Sequence, residues 1–240
     1  MAIIQPESLD NKVALVTGGS KGIGLAIAEA LVAEGARVVI CGRDTTALDA
    51  AVAQLGVGVV GRQCDVGRHE SVVQLFEFIK AELGGVDILI NNAGVGHFGK
   101  VDELDVDHWR EVMDTNLSGV FYATREAAPQ MRARGGGFVI NIGSLAGKHP
   151  FAGGAAYNAS KFGLVGFTEA IMADLRHDNI RVSSVMPGSV QTEFRPGGSE
   201  GGDWKLDPAQ IAATVVHLLK TPARNLASRV EMRPSRPPQR

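Results

Sequence analysis

Short, mostly apolar runs recur at residues 13–16, 38–41, 59–64, 88–91, 138–142 and 182–186. They read as parallel strands buried on both faces, because alternation with polar residues is weak in them. The stretches between them, at 23–34, 45–55, 70–83, 107–134 and 155–176, carry the spacing of helices. Asp207-Pro208 reads as an N-cap followed by proline at the first helical position, opening a helix to Lys220. Residues 230–232 predict a last strand. Strands alternating with helices imply right-handed crossovers and a doubly wound α/β sheet. No repeat and no Pro/Ser-rich break interrupts the series, so residues 1–240 are expected to form one domain. Gly197, Gly198, Gly201 and Gly202 crowd the stretch from Phe194 to Lys205, which is predicted to be the least ordered. The proline-rich tail at 234–240 is expected to be flexible and to fray.

Bulk properties narrow the function. The 240 residues are 45% apolar, ample for one large core. A net charge of −2 and an isoelectric point near 6.3 argue against a general nucleic-acid or anionic-membrane surface. Cys41 and Cys64 are isolated, which suggests neither a disulfide scaffold nor a Cys-x-x-Cys metal site. The six histidines lack metal-ligand spacing, so no metal is expected. Met1 to Lys12 has no basic segment followed by an apolar one, and no apolar stretch approaches the ~20 residues that span a bilayer. The expected location is the cytoplasm, with no membrane partner.

Two groups of residues carry chemistry. Thr17-Gly18-Gly19-Ser20-Lys21-Gly22-Ile23-Gly24 follows the first strand and opens the first helix. Glycines there permit a tight turn and close backbone approach, and a pyrophosphate would sit on the helix N-terminus. The second strand ends in Gly42-Arg43 where a binder of NAD would usually end in an acid. A guanidinium suits a 2′-phosphate, with Lys21 as a second positive charge, which favours NADP(H) over NAD(H). The alternative is a solvated Arg43, with Asp44 on the ribose if the strand runs longer. In the other half, Tyr157 and Lys161 stand four residues apart on one helix face, and Ser144 follows the fifth strand. An ammonium beside a phenol lowers its pKa, so Tyr157 can exchange protons near neutral pH while Ser144 orients a carbonyl oxygen. Lys161 can also reach the nicotinamide ribose.

With these residues in view, the chain resembles the short-chain dehydrogenase/reductase family over nearly its whole length. The loop from Thr17 to Gly24 is similar to that family's TGxxxGIG motif. Asp65-Val66 falls where the family contacts adenine, and Asn91-Asn92-Ala93-Gly94 resembles its NNAG motif. Asn116 falls where a catalytic Asn anchors a water relay to the lysine, completing a tetrad with Ser144, Tyr157 and Lys161. Pro187-Gly188-Ser189-Val190-Gln191-Thr192 resembles the segment that bonds the nicotinamide carboxamide through Pro187, Gly188, Val190 and Thr192. The resemblance implies a seven-stranded parallel sheet of order 3-2-1-4-5-6-7, with the site at the strands' C-terminal ends. It also implies a homodimer or homotetramer, a nucleotide-binding half at about 10–115 and a catalytic half at about 116–233.

The substrate is less legible. His97 and Phe98 after the NNAG motif, with Leu145, His149 and Phe151 after Ser144, are expected to line a largely apolar pocket. Phe194 and Trp204 are candidates to shield it. The core resembles 3-oxoacyl-carrier-protein reductases, with Arg132, Arg134 and Arg176 near the positions that face the carrier. The ending Val230-Glu231-Met232-Arg233-Pro234 and the segment Val95-Gly96-His97-Phe98-Gly99 look more like sepiapterin-reductase-type carbonyl reductases. The expected activity is therefore reduction of a small-molecule ketone or aldehyde. A non-catalytic NADP(H)-sensing protein on the same fold is the alternative from another class.

Overall fold

In the computed structural model, residues 7–194 and 202–238 are described. Seven strands form one parallel sheet in the order β3-β2-β1-β4-β5-β6-β7. They are β1 (Val13–Thr17), β2 (Arg37–Gly42), β3 (Val59–Gln63), β4 (Ile88–Asn91), β5 (Gly137–Ile142), β6 (Ile180–Pro187) and β7 (Arg229–Met232). The helices are α1 (Gly22–Ala33), α2 (Thr45–Leu55), α3 (His69–Leu83), α4 (Val106–Met113), α5 (Gly119–Ala133), α6 (Ala155–Leu175) and α7 (Pro208–Leu219). Among the described residues no helix is long and apolar enough to cross a membrane.

The inner strands are mostly apolar because both of their faces are covered, whereas the edge strands β3 and β7 are partly exposed and carry Arg62, Gln63, Arg229 and Glu231. Ala14, Val16, Val38 and Ile40 face α1, α2 and α7, where Ile27, Leu31, Leu48, Ile211 and Val215 meet them. Val13, Leu15, Val39 and Leu89 face α3, α5 and α6, through Phe76, Ile79, Met131, Ile171 and Leu175. Each such Val, Leu, Ile, Phe or Met side chain contributes about 1.5–3 kcal/mol on burial. The N-terminal end of the sheet is closed by Asp87, which accepts from the Val13 amide at 2.8 Å and from Nε and Nη2 of Arg134 at 2.8 Å each.

Most expected elements appear with ends shifted by one or two residues. One differs in kind. The helix expected over 107–134 is two α-helices joined by a π-helical turn, Asp114–Ser118. Asn116 lies in that turn, fully buried, and its side chain bonds the backbone of Val95 beyond the helix. The widened turn directs that amide inward, as such turns often do at working sites. The Pro208 helix opens as predicted, with Asp207 as its N-cap, and Gln210 completes a reciprocal capping box. The stretch expected to be least ordered lies partly outside the described residues, at 195–201. Its flanks meet, since Leu206 N donates to Ser189 O and Gln191 N donates to Leu206 O at 2.9 Å each. In the tail, residues 239–240 also lie outside the described part.

Candidate active site

The strand order reverses between β1 and β4, and a crevice opens there at the C-terminal ends of the strands. Thr17 ends β1, and its Oγ1 accepts from the amides of Asn92 and Ala93 at 3.0 Å each. Asn92 answers through Nδ2, which donates to Thr17 O and Gly18 O at 3.0 Å each. The Asn92 side chain is thus spent on holding the glycine loop, leaving the backbone of Ala93 and Gly94 to line the crevice. Gly18 and Gly22 have φ of +63° and +56°, in the left-handed region. A Cβ on Gly24 would lie 2.2 Å from Gly18 O, so only glycine fits there. Lys21 is the N-cap of α1 and gives no side-chain cap, and the first turn holds no acid. The first amides after it, those of Gly22, Ile23 and Gly24, and the positive end of the helix dipole are therefore available to an anion. Thr192 lies across the loop, with Cγ2 3.3 Å from where a Gly22 Cβ would stand. Uncapped amides, left-handed glycines and Ser20 and Lys21 in the same loop fit a dinucleotide's phosphates.

At the adenosine end, β2 stops at Gly42, so Arg43 is the first residue beyond it. Asp44 caps α2 by accepting from the Ala47 amide at 3.1 Å. That commitment weakens the alternative in which Asp44 reads a ribose. Arg43 is itself engaged, with Nη1 2.7 Å from Glu111 Oε1. Asp65 follows β3 and turns its carboxylate onto the Gly67 amide at 3.0 Å. Val66 is buried and packs on Gly119.

The other half of the crevice gathers the remaining candidates. Lys161 is buried on α6, and its Nζ donates to the Ile142 carbonyl at 3.0 Å, two residues before Ser144. The same ammonium stands 5.7 Å from the centroid of the Tyr157 ring. Burial lowers the Lys161 pKa from 10.5 to about 8. Ser144 Oγ accepts from the Ala146 amide at 3.1 Å and starts the short turn Leu145–Gly147. That turn packs on α6 so closely that a Cβ on Gly147 would lie 2.7 Å from Lys161 O. Asn116 Nδ2 donates to Ser160 Oγ at 3.1 Å, and Ser160 Oγ donates to Tyr157 O at 2.8 Å. Lys161, Tyr157, Asn116 and the start of the Ser144 turn therefore form one connected group.

Three half-exposed phenylalanines surround Tyr157. Its ring centroid lies 5.8 Å from Phe98, 6.5 Å from Phe151 and 5.6 Å from Phe194. Leu145 reaches the Pro187-Gly188 turn, where a Gly188 Cβ would stand 3.0 Å from its Cδ1. The other pocket candidates sit differently. His97 bonds Glu111 at 2.7 Å, His149 meets Arg233 at 3.2 Å, and Trp204 packs on its own loop neighbour Gly202. Val190 bridges to Leu206 and so anchors the base of that loop.

Sequence reasoning missed residues that support the site. Asn91, Asn141 and Thr168 form a buried ladder, Asn91 Nδ2 to Asn141 Oδ1 at 2.9 Å and Asn141 Nδ2 to Thr168 Oγ1 at 2.9 Å. It ties β4, β5 and α6 together beneath the tetrad. A polar residue inside an apolar strand run, as at Asn141, was the available signal. Glu111 had none.

The sequence profile described as short chain dehydrogenase matches residues 12–200. The chain is 40% identical over 196 residues to dehydrogenase/reductase SDR family member 4 of Oryctolagus cuniculus, covering 80% of this chain and 75% of the relative. It is 34% identical over 234 residues to an uncharacterized oxidoreductase of Staphylococcus saprophyticus, covering 94% and 98%. A protein of Streptomyces coelicolor provisionally named as a ketoacyl reductase is 42% identical over 188 residues, covering 76% and 72%. A crystal structure of a metagenomic short-chain oxidoreductase in complex with NADP superposes with a TM-score of 0.85 at 36% identity, covering 96% of this chain and all of that one.

Proposed function

The chain belongs to the short-chain dehydrogenase family, and we propose that it is an NADP(H)-dependent carbonyl reductase with Tyr157 as its acid. The observation that carries this is the buried Lys161 ammonium beside the Tyr157 ring, inside a wall of Phe98, Phe151 and Phe194. NADP(H), when bound, supplies or accepts the hydride. The uncapped start of α1 binds its phosphates, Arg43 and Lys21 read the 2′-phosphate, and the turn from Pro187 to Thr192 holds the carboxamide end. NADP in a relative of 36% identity supports the same cofactor here.

Each catalytic side chain has one task. Ser144 keeps its hydroxyl proton for the substrate oxygen, since its Oγ only accepts from Ala146. Tyr157 gives its phenolic proton to that oxygen as charge develops on it. Lys161, held by Ile142 O, stabilises the phenolate left behind. Asn116 fixes the helix face that presents them, through Ser160. Water exclusion falls to the phenylalanines, which favour an apolar or aromatic ketone or aldehyde over a charged one.

The reductase acting on carrier-bound 3-oxoacyl groups is the weaker alternative. Arg132 and Arg134, which would face the carrier, are engaged with Asp178 at 2.6 Å and Asp87 at 2.8 Å. A homodimer or homotetramer is the proposed assembly. The activity is tested by following NADPH consumption over a panel of ketones, quinones, pterins and acyl thioesters. Turnover of apolar ketones is expected, and turnover confined to acyl thioesters would favour the alternative.

A further inference from the structure

Glu111, on α4, has both carboxylate oxygens committed. Oε1 takes Nη1 of Arg43 at 2.7 Å, and Oε2 meets Nε2 of His97 at 2.7 Å. The His97 ring is itself stacked on His108 at 3.9 Å. Arg43 follows β2 and His97 follows β4, and β1 lies between those strands. The link from Arg43 through Glu111 to His97 therefore spans the end of β1, where the glycine loop begins. No motif or catalytic task described above uses Glu111.

We propose that Glu111 is a specificity-determining residue that limits the preference for NADPH over NADH by competing with the 2′-phosphate for the Arg43 guanidinium. The inference rests on Arg43 as the reader of that phosphate. Carboxylate and phosphate ask for the same donors on the same fork. Arg43 holds the Glu111 carboxyl below the usual carboxylate range, with His97 adding to the effect, so the competitor is ionised near neutral pH. A ligand with a 2′-phosphate must draw Arg43 off Glu111 or sit close to a second anion. NADH meets neither obstacle. The Arg43 side chain is 55% exposed, so the pair is a modest competitor that exchanges partners readily.

Glu111→Gln keeps the shape and removes the charge. It should lower the dissociation constant for NADPH by about threefold to fivefold, the size of an exposed ion pair, and leave that for NADH within about twofold. The fragment 2′,5′-ADP should gain as NADPH does, because it reaches Arg43 without the nicotinamide end near His97. Titrations of the full chain by cofactor fluorescence or calorimetry give these constants for wild type, Glu111→Gln, Arg43→Ala and the double variant. In the Arg43→Ala background the gain should collapse to less than about twofold. A merely structural role for Glu111 would move both cofactors alike and would overturn the inference, as would unchanged or weaker NADPH binding in Glu111→Gln. If Arg43→Ala leaves the NADPH-to-NADH ratio at its wild-type value, the reading of Arg43 fails first. If Arg43→Ala removes the preference and Glu111→Gln does nothing, only the role of Glu111 fails.

Discussion

Burial takes the Lys161 ammonium from its ordinary 10.5 to about 8, so this one side chain couples stability to pH. Between pH 8 and 10.5 the unfolded chain keeps a proton that the folded chain has lost. The lysine's contribution to stability therefore rises through that window and is lost as pH falls through about 8. Lys161→Met should remove this dependence. The stability difference between parent and variant should shift by about 2–3 kcal/mol toward the parent from pH 7 to pH 10, read by urea unfolding. A flat difference would mean that the ammonium is solvated. Arg43→Asp is the second test at this scale. A charge-assisted contact to phosphate contributes ~1.5–3 kcal/mol, and discounted for exposure it should favour NADPH over NADH by about tenfold in kcat/KM. The substitution should erase or reverse that ratio and leave NADH use nearly unchanged. A wild type that prefers NADH would return the ribose to Asp44. Arg43 was legible because β2 ends so close to it. Its partner Glu111 stands 68 residues away, and nothing local announces the pairing.

At the scale of elements, the apolar runs announced the inner strands because those are covered on both faces, while the partly exposed edge strands β3 and β7 carry a weaker signal. The start of α7 was equally plain, since Asp207 and Pro208 carry their own geometry, while the part played by Gln210 appears only in the structure. The π turn was not legible. Helical spacing continues through residues 107–134, and the widened turn is selected by what Asn116 must reach at Val95 and Ser160. The buried ladder under the tetrad was overlooked for a related reason: its partners come from three separate elements. Asn141→Leu should leave the Asn91 amide short of its acceptor and Thr168 short of its donor. Asn91 keeps its bond to Thr124 at 3.4 Å and Thr168 its bond to Leu164 O, so the lost bonds cost about 1–3 kcal/mol together, and thermal and urea midpoints should both fall. Unchanged midpoints would show that the ladder is not structural.

For the whole molecule, the periodicity predicted a doubly wound sheet, while the order of strands came from the resemblance to a family and is the order observed. Assembly is a further question at this scale. Trp109, Phe121 and Phe162 are 41%, 43% and 45% exposed on α4, α5 and α6. Large aromatics left open on neighbouring helices suit a subunit interface. The parent chain is expected to sediment as a dimer or tetramer and Phe121→Glu combined with Phe162→Glu as a monomer, and a monomeric parent would refute the proposed assembly. We propose above all that this molecule moves a proton through Tyr157 during NADPH-dependent carbonyl reduction. The most direct test compares Tyr157→Phe with wild type for NADPH consumption on the best ketone and for NADPH affinity. The ring still packs among Phe98, Phe151 and Phe194, so affinity should stay within a few-fold while turnover vanishes. Retention of more than a few per cent of wild-type turnover would contradict it.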